Sequence, residues 1–434
     1  MADLRISTYT LGCKLNYAET ATVCRTFTEP GFVEVDFDEE ADLVLINTCT
    51  VTENADREAR KIVRRALRRS PNAFVIVTGC FAQLRPERIA SIDGVDLILG
   101  TGEKFSALEL AGTLRKRNTA RICVGELGED AEFGAAFAAD SHDRTRAFLK
   151  VQDGCDYNCS FCTIPKARGA GRSQDIGTTV KQAAAILERG FREIVLSGVN
   201  VGEYGAGGGG SLTELVKALI NLPGDFWIRI SSIEPNLLND ELIGIAAESG
   251  KICQHFHVPL QSGSDAVLRR MRRRYTARQF RERVETLVSR IPCCGVGIDV
   301  ITGFPGETAE CFDETREFLE ELPFSYLHVF TYSERPHTHA LTLDGKVRPE
   351  EGARRGSVLR LLSESKRLDF NRSQLGSSRR TLMEKGGKSG RTEGFTDNYI
   401  RISVPYDAEL ANRILTVRLE SIDGSNVLGR VLSR

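Results

Sequence analysis

No run of apolar residues in this chain is long enough to span a bilayer, and its start lacks the charged-then-apolar pattern of an export signal. Both absences point to a cytoplasmic protein and away from one that spans a membrane by helices. An excess of one charge is missing too: 58 Lys and Arg stand against 59 Asp and Glu, a net of −1. The molecule as a whole is no polycation, so any nucleic-acid surface has to be a local patch. There is no internal repeat, and the glycine run Gly207–Gly210 lacks phosphate-loop context. What the chain does have is cysteine, 12 in 434 residues. Without an export signal, that many thiols read as reduced metal ligands in preference to a disulfide framework. The length leaves room for two or three domains with ample core.

Three of the thiols stand within eight residues, Cys155, Cys159 and Cys162 in the segment CDYNCSFC, just after an apolar run ending at Val151. Thiolates this close suit one iron–sulfur cluster, and three ligands for four irons leave one iron open to a small molecule. The plainer alternative is a zinc knuckle with a remote fourth ligand, although such knuckles usually pair two CxxC units. Phe161 and Ile164 are placed to shield a cluster.

Cys13, Cys49 and Cys80 lie far apart, yet each ends an apolar run: Leu4 to Thr10, Leu43 to Ile46 and Phe74 to Val77. Runs of that kind separated by helical patterns predict parallel strands of an open α/β sheet, where ligands gather beyond the carboxyl ends. Three thiols at three adjacent strand ends would converge on one point. Singly, each reads as a buried core cysteine. The other six, Cys24, Cys123, Cys253, Cys293, Cys294 and Cys311, show no converging placement and read as structural.

The segments TLGCKLNYAET from Thr10, INTCTVTENADREAR from Ile46, VTGCFAQ from Val77 and QDGCDYNCSFCTIPKARG from Gln152 together resemble the radical S-adenosylmethionine (SAM) methylthiotransferases. The resemblance covers nearly the whole chain. It implies two 4Fe-4S clusters, one at Cys13, Cys49 and Cys80 and one at Cys155, Cys159 and Cys162. It also implies SAM as both radical source and methyl donor, an electron donor such as flavodoxin or ferredoxin, and a sulfur donor. The details are most similar to the branch that modifies N6-threonylcarbamoyladenosine at position 37 of ANN-reading tRNAs, bound by the anticodon stem-loop. The alternatives are an isopentenyladenosine substrate, a ribosomal-protein aspartate, or a zinc-stabilised RNA-binding protein without catalysis.

The expected fold is α/β and multidomain. Residues 1–124 alternate strand and helix patterns as an open α/β domain, and 125–146 read as a linker. Residues 147–372 carry six strand-like runs, which match the partial (β/α)6 barrel of radical-SAM enzymes. Residues 373–434 show short strands of a small antiparallel barrel, oligonucleotide-binding in pattern and resembling TRAM. Strand ends in the central region offer Gly198, Asn200, Glu234 and Gln261 for SAM, as in similar enzymes; each residue alone is equally well explained by turn chemistry.

Candidate RNA contacts are Arg57, Arg60, Lys61, Arg64, Arg65, Arg68 and Arg69 on one face of a helix, with Arg380, Lys388 and Arg391 in the last domain. A second basic cluster, Arg269 to Arg274 with Arg278, divides evenly between RNA and a solvated face. His255 with His257 reads as packing or polar lining. At His337 similar sequences carry glycine, a departure that puts the conformation of the loop Tyr332 to Ala340 in question.

Overall fold

The computed structural model describes residues 4–50, 53–128, 132–139, 145–206, 208–384 and 390–433. The N-terminal sheet has six parallel strands: β1 (Arg5–Thr10), β2 (Val33–Val35), β3 (Leu43–Thr48), β4 (Phe74–Gly79), β5 (Leu97–Leu99) and β6 (Arg121–Cys123). Their order is β2-β1-β3-β4-β5-β6. Strands β3 and β4 are buried along their whole length, because helices cover both faces. Helix α1 (Lys14–Thr28) lays Val23, Cys24 and Phe27 on Leu43, Leu45 and Phe74. Helix α2 (Glu53–Arg69) lays Ala59, Ile62, Val63 and Ala66 on Val44, Ile46 and Val75. Burial on both faces is why these strands are continuous apolar runs in the sequence. It also sets the ends of β1, β3 and β4 side by side, each followed by a cysteine.

The central region contains two sheets. Strands β7 (Phe137–Ala138), β8 (Arg146–Lys150), β11 (Glu193–Ser197) and β12 (Trp227–Ile230) lie in the order β12-β11-β8-β7, with only β7 antiparallel. Strands β13 (His255–His257), β14 (Gly295–Thr302) and β15 (Tyr326–Thr331) form a parallel sheet. The sheets meet through parallel bridges, Ile228 with Ile252 and Ser232 with His257. The short β9 (Gln152–Asp153) and β10 (Arg172–Ser173) pair across the neck of the cysteine loop. Alternate residues such as Leu149, Ile194, Ile228, Phe256 and Ile298 pack against the helices. By the two-residue period, Arg229, His255, His257, Asp299, Tyr326 and His328 face the other way. Within 125–146 the chain supplies β7, whose Ala138 packs on Ala18 of α1 and Phe148 of β8.

The helix Pro349–Ser373 leads to a closed barrel of β16 (Ser378–Met383), β17 (Arg391–Thr396), β18 (Arg401–Pro405), β19 (Ile414–Asp423) and β20 (Asn426–Ser433). The sequence predicts an antiparallel barrel, and the structure corrects this at one seam: β18 and β20 are parallel. Five strands cannot alternate direction all the way round a closed ring, so one pair must run the same way. Among the described residues no helix is long and apolar enough to cross a membrane.

Candidate functional site

Each cysteine of the first triad sits where a strand hands over to the next element. Cys13 caps α1, Cys49 follows β3, and Cys80 opens the helix α3 (Cys80–Leu84). Glycine makes the close approach possible. Gly12 has φ +100°, and a Cβ there would lie 2.9 Å from Cys49 Sγ. Gly79 has φ +99°, and a Cβ there would lie 2.3 Å from Asn47 Oδ1. Buried Asn16 ties the turns together, donating from Nδ2 to Leu11 O (2.9 Å) and Thr48 O (3.1 Å). Cys13 is solvent-accessible while Cys49 and Cys80 are buried. The protein around Cys13 pushes its thiol pKa up, and the Arg168 guanidinium pulls it back.

In the second triad every sulfur accepts an N–H. Tyr157 N donates to Cys155 Sγ (3.4 Å), Ile164 N to Cys162 Sγ (3.4 Å), and Arg273 Nη1 to Cys159 Sγ (3.1 Å). Burial pushes all three thiols up, Cys162 to about 12. Such N–H bonds favour the thiolate and tune the potential of a sulfur-ligated cluster. Three free thiols in each set leave one position of a four-iron cluster open, so both donor sets fit a sulfur-ligated cluster.

The four expected SAM contacts lie at neighbouring strand ends around the second triad. Gln152 Oε1 accepts from Val199 N and Asn200 N (both 2.9 Å), and a Cβ on Gly198 would lie 2.8 Å from that oxygen. Asn200 and Glu203 are polar side chains lying against each other beside Cys155, and burial holds the Glu203 carboxyl above its usual range while Asp156 N, Cys155 and Asn200 pull it back. Buried polar groups beside a thiol cleft are suited to a polar ligand. Glu234 pairs with Arg273, and Gln261 takes φ +68°, a backbone strain of the kind that collects at functional sites. Nothing local in the sequence marks Glu203 or Arg273 as a site residue. Arg273 is hidden in the 269–274 basic cluster, most of which is occupied: Arg270 pairs with Asp344, and Arg274 lies 3.9 Å over the Tyr157 ring.

A buried charge network joins the two clefts. Glu19 of α1 meets Lys104 (2.7 Å), Lys150 (2.9 Å) and Arg168 (3.0 Å), while Asp153 meets Lys150 (2.6 Å), Arg168 (2.9 Å) and Arg172 (3.1 Å). Four cations face two acids, an excess of two positive charges. Arg168 Nη2 also donates to Asn16 Oδ1 (2.6 Å), which lies 3.8 Å from Cys13 Sγ. An anionic thiolate centre suits that surplus.

Of the expected RNA-contacting cations, Arg64, Arg68 and Arg69 are exposed on α2 and Arg60 is half-buried, without an ion pair among the described residues. Lys61 reaches Glu58 (3.6 Å), and Arg65 pairs with Asp38 over the Phe37 ring. Arg57 is exposed. Arg380 is engaged with Asp225, and Arg391 donates to Ser403 Oγ (2.7 Å). Lys388 lies outside the described residues. His257 Nε2 and His328 Nδ1 approach the Asp299 carboxylate (2.8 and 3.3 Å), and both imidazoles hold it well below the usual range. His337 takes φ +63°, the conformation glycine would supply.

A radical-SAM fold defines the class: residues 149–319 match the radical SAM superfamily, and residues 5–100 match the family described as uncharacterized protein family UPF0004. A solved radical S-adenosylmethionine methyltransferase, TsrM from Kitasatospora setae, shares the fold with a TM-score of 0.57 at 16% identity, covering 78% of this chain and 77% of that one. The chain belongs to the radical-SAM methylthiotransferase family. It is 37% identical to the threonylcarbamoyladenosine tRNA methylthiotransferase MtaB of Bacillus subtilis, over 95% of this chain and 93% of that protein. The MtaB of Aquifex aeolicus is also 37% identical, over 92% and 96%. The tRNA-2-methylthio-N(6)-dimethylallyladenosine synthase of Acetivibrio thermocellus is 31% identical, over 98% and 90%.

Proposed function

We propose that the protein is a tRNA methylthiotransferase that converts N6-threonylcarbamoyladenosine at position 37 of ANN-reading tRNAs to its 2-methylthio derivative. The observation carrying this reading is the presence of two three-thiol clefts in one chain that matches proteins of that activity at 37% identity over nearly its whole length. The lower 31% identity to a dimethylallyladenosine synthase makes isopentenyladenosine the main competitor, ahead of a ribosomal-protein aspartate.

In this reading residues 1–124 are the methylthiotransferase domain, 125–146 the linker, 147–372 a radical-SAM domain whose two sheets form an open (β/α)6 barrel, and 373–434 a TRAM domain. Cys13, Cys49 and Cys80 would hold one 4Fe-4S cluster, and Cys155, Cys159 and Cys162 the other. Bound there, cluster and SAM supply radical chemistry able to open an unactivated C–H bond, which no general base can do. The chain's own residues position that chemistry. Arg273 fixes Cys159 against Glu234, Gln152 holds Val199 and Asn200 beside the cysteine loop, and Arg168 links the two clefts. Asn200, Glu203, Glu234 and Gln261 offer polar groups to SAM.

The exposed face of α2, with Arg57, Arg60, Lys61, Arg64 and Arg68, is suited to the phosphates of the anticodon stem-loop, whose unpaired bases can be splayed into a cleft. A flavodoxin or ferredoxin would supply electrons to this cytoplasmic enzyme, and a separate donor the sulfur. The test is reconstituted enzyme with SAM, reductant and tRNAs bearing either modified adenosine, read by nucleoside mass spectrometry. A methylthio mark on threonylcarbamoyladenosine supports the assignment. A mark only on isopentenyladenosine, or only on a ribosomal protein, overturns it.

A further inference from the structure

The loop from Tyr332 to Ala340 touches both thiol clefts. Its far end grips the cysteine loop: Ala340 N donates to Ser160 O (2.7 Å), between Cys159 and Cys162, and Lys166 Nζ donates to His337 O. Its near end sets the Tyr332 ring on Phe304 (5.3 Å between centres), which in turn meets Phe161 (6.2 Å). In the middle, buried Arg335 reaches the other way. Its Nη2 donates to Oγ1 of Thr50 (2.7 Å), the residue after Cys49 and 285 positions earlier in the chain. Thr338 closes a turn on Arg335 by donating from Oγ1 to its carbonyl (2.7 Å).

Cys49 is thereby held from two sides by different parts of the molecule. On one side Thr48 bonds within the N-terminal sheet, donating from Oγ1 to Thr78 O (2.6 Å) and accepting from Ala82 N (3.3 Å). On the other, Thr50 is bonded to the loop that grips the second triad. Only five residue steps lead from Arg335 to Ala340, a reach of at most about 17 Å, so this short strap limits how far Cys49 can move from Cys159 and Cys162. Packing alone does not call for a guanidinium at this depth, because burying one is costly unless its donors are used. A rigid planar fork does suit holding a turn in one orientation.

We propose that Arg335 is a positioning residue that keeps the first thiol cleft in register with the second, so that sulfur delivery stays coupled to SAM cleavage. The inference rests on the methylthiotransferase reading above and adds the contact that sets the separation of its two clefts. Arg168 makes its link at the Cys13 turn, whereas Arg335 makes an independent one at Cys49.

The test uses the whole cluster-loaded chain with SAM, reductant and tRNA bearing threonylcarbamoyladenosine, and counts 5′-deoxyadenosine released against methylthio nucleoside formed. Arg335→Met should keep wild-type iron and still cleave SAM, while 5′-deoxyadenosine per methylthio product rises roughly tenfold or more, because misplacement by about 1 Å can cost about a hundredfold in rate. Arg335→Lys should recover part of the coupling. Thr50→Val removes only the acceptor hydroxyl, should shift the ratio in the same direction, and decides the matter if Arg335→Met loses iron or fails to fold. Hydrogen exchange supplies a readout apart from turnover: amides at 46–50 should lose protection in Arg335→Met, and those at 159–164 should keep theirs. A wild-type ratio in both variants would overturn the positioning role alone. A wild-type protein that forms no methylthio nucleoside would overturn the underlying reading, and the inference with it.

Discussion

His337 holds φ +63°, and Lys166 Nζ donates to its carbonyl, so the loop keeps a turn that glycine forms without strain. A non-glycine residue in the left-handed region costs roughly 1–2 kcal/mol, partly offset by the greater freedom glycine regains on unfolding. His337→Gly should therefore raise stability by up to about 1 kcal/mol in urea unfolding. A clear loss would show that the imidazole makes a stabilising contact. Arg273 poses the opposite case, because its guanidinium serves both Cys159 Sγ and the buried Glu234. Arg273→Met removes the donor to sulfur and leaves a carboxylate unpaired. Redox titration of the reconstituted variant should show a more negative cluster potential, since a cation near sulfur stabilises the reduced, more negative form. An unchanged potential would return Arg273 to a purely structural role. Neither residue's role is legible in the sequence. Arg273 reads as one of a row of arginines, and its partners lie 114 and 39 positions away.

Elements carry most of what the sequence does reveal. The apolar runs ending at Cys13, Cys49 and Cys80 are β1, β3 and β4. Continuous burial leaves a local apolar signature, so these strands and the thiols after them can be found by inspection. Strand β17, RTEGFT, leaves no such signature because it alternates half-buried with buried positions and is mostly polar. The network that docks α1 onto the central region is hidden for another reason: Glu19 and Arg168 are 149 positions apart, and nothing local marks either as buried.

Removing Glu19 leaves Lys104, Lys150 and Arg168 short of a counter-charge, so Glu19→Ala should cost about 3–5 kcal/mol in denaturant unfolding. The Arg168, Lys104 and Lys150 cations hold the Glu19 carboxyl well below its usual range, and Lys150 and Arg168 do the same for Asp153. Depressed carboxylates contribute stability that is complete above their unfolded pKa of about 4 and lost as pH falls through the folded value. The gap between wild type and Glu19→Gln should accordingly be constant from pH 7 to about 5 and shrink below about 4. A gap that widened with acid would contradict the network.

At the scale of the whole molecule, basic surface and thiol clefts have to serve one substrate. Helix α2 starts a few residues beyond Cys49 and turns Arg64 and Arg68 outward with Arg60 half-buried. Changing these three to Gln should weaken tRNA binding and reduce its salt slope by about 0.7–0.9 for each phosphate left without its cation. Unchanged affinity and slope would make this face a solvated helix surface.

The division of labour between the two clefts is the central claim, and iron counting with SAM turnover on triad variants tests it most directly. The Cys155→Ala, Cys159→Ala, Cys162→Ala protein should keep about half the iron and cleave no SAM. The Cys13→Ala, Cys49→Ala, Cys80→Ala protein should keep the other half and cleave SAM, yet attach no sulfur to RNA. Full iron content in either variant would contradict the account.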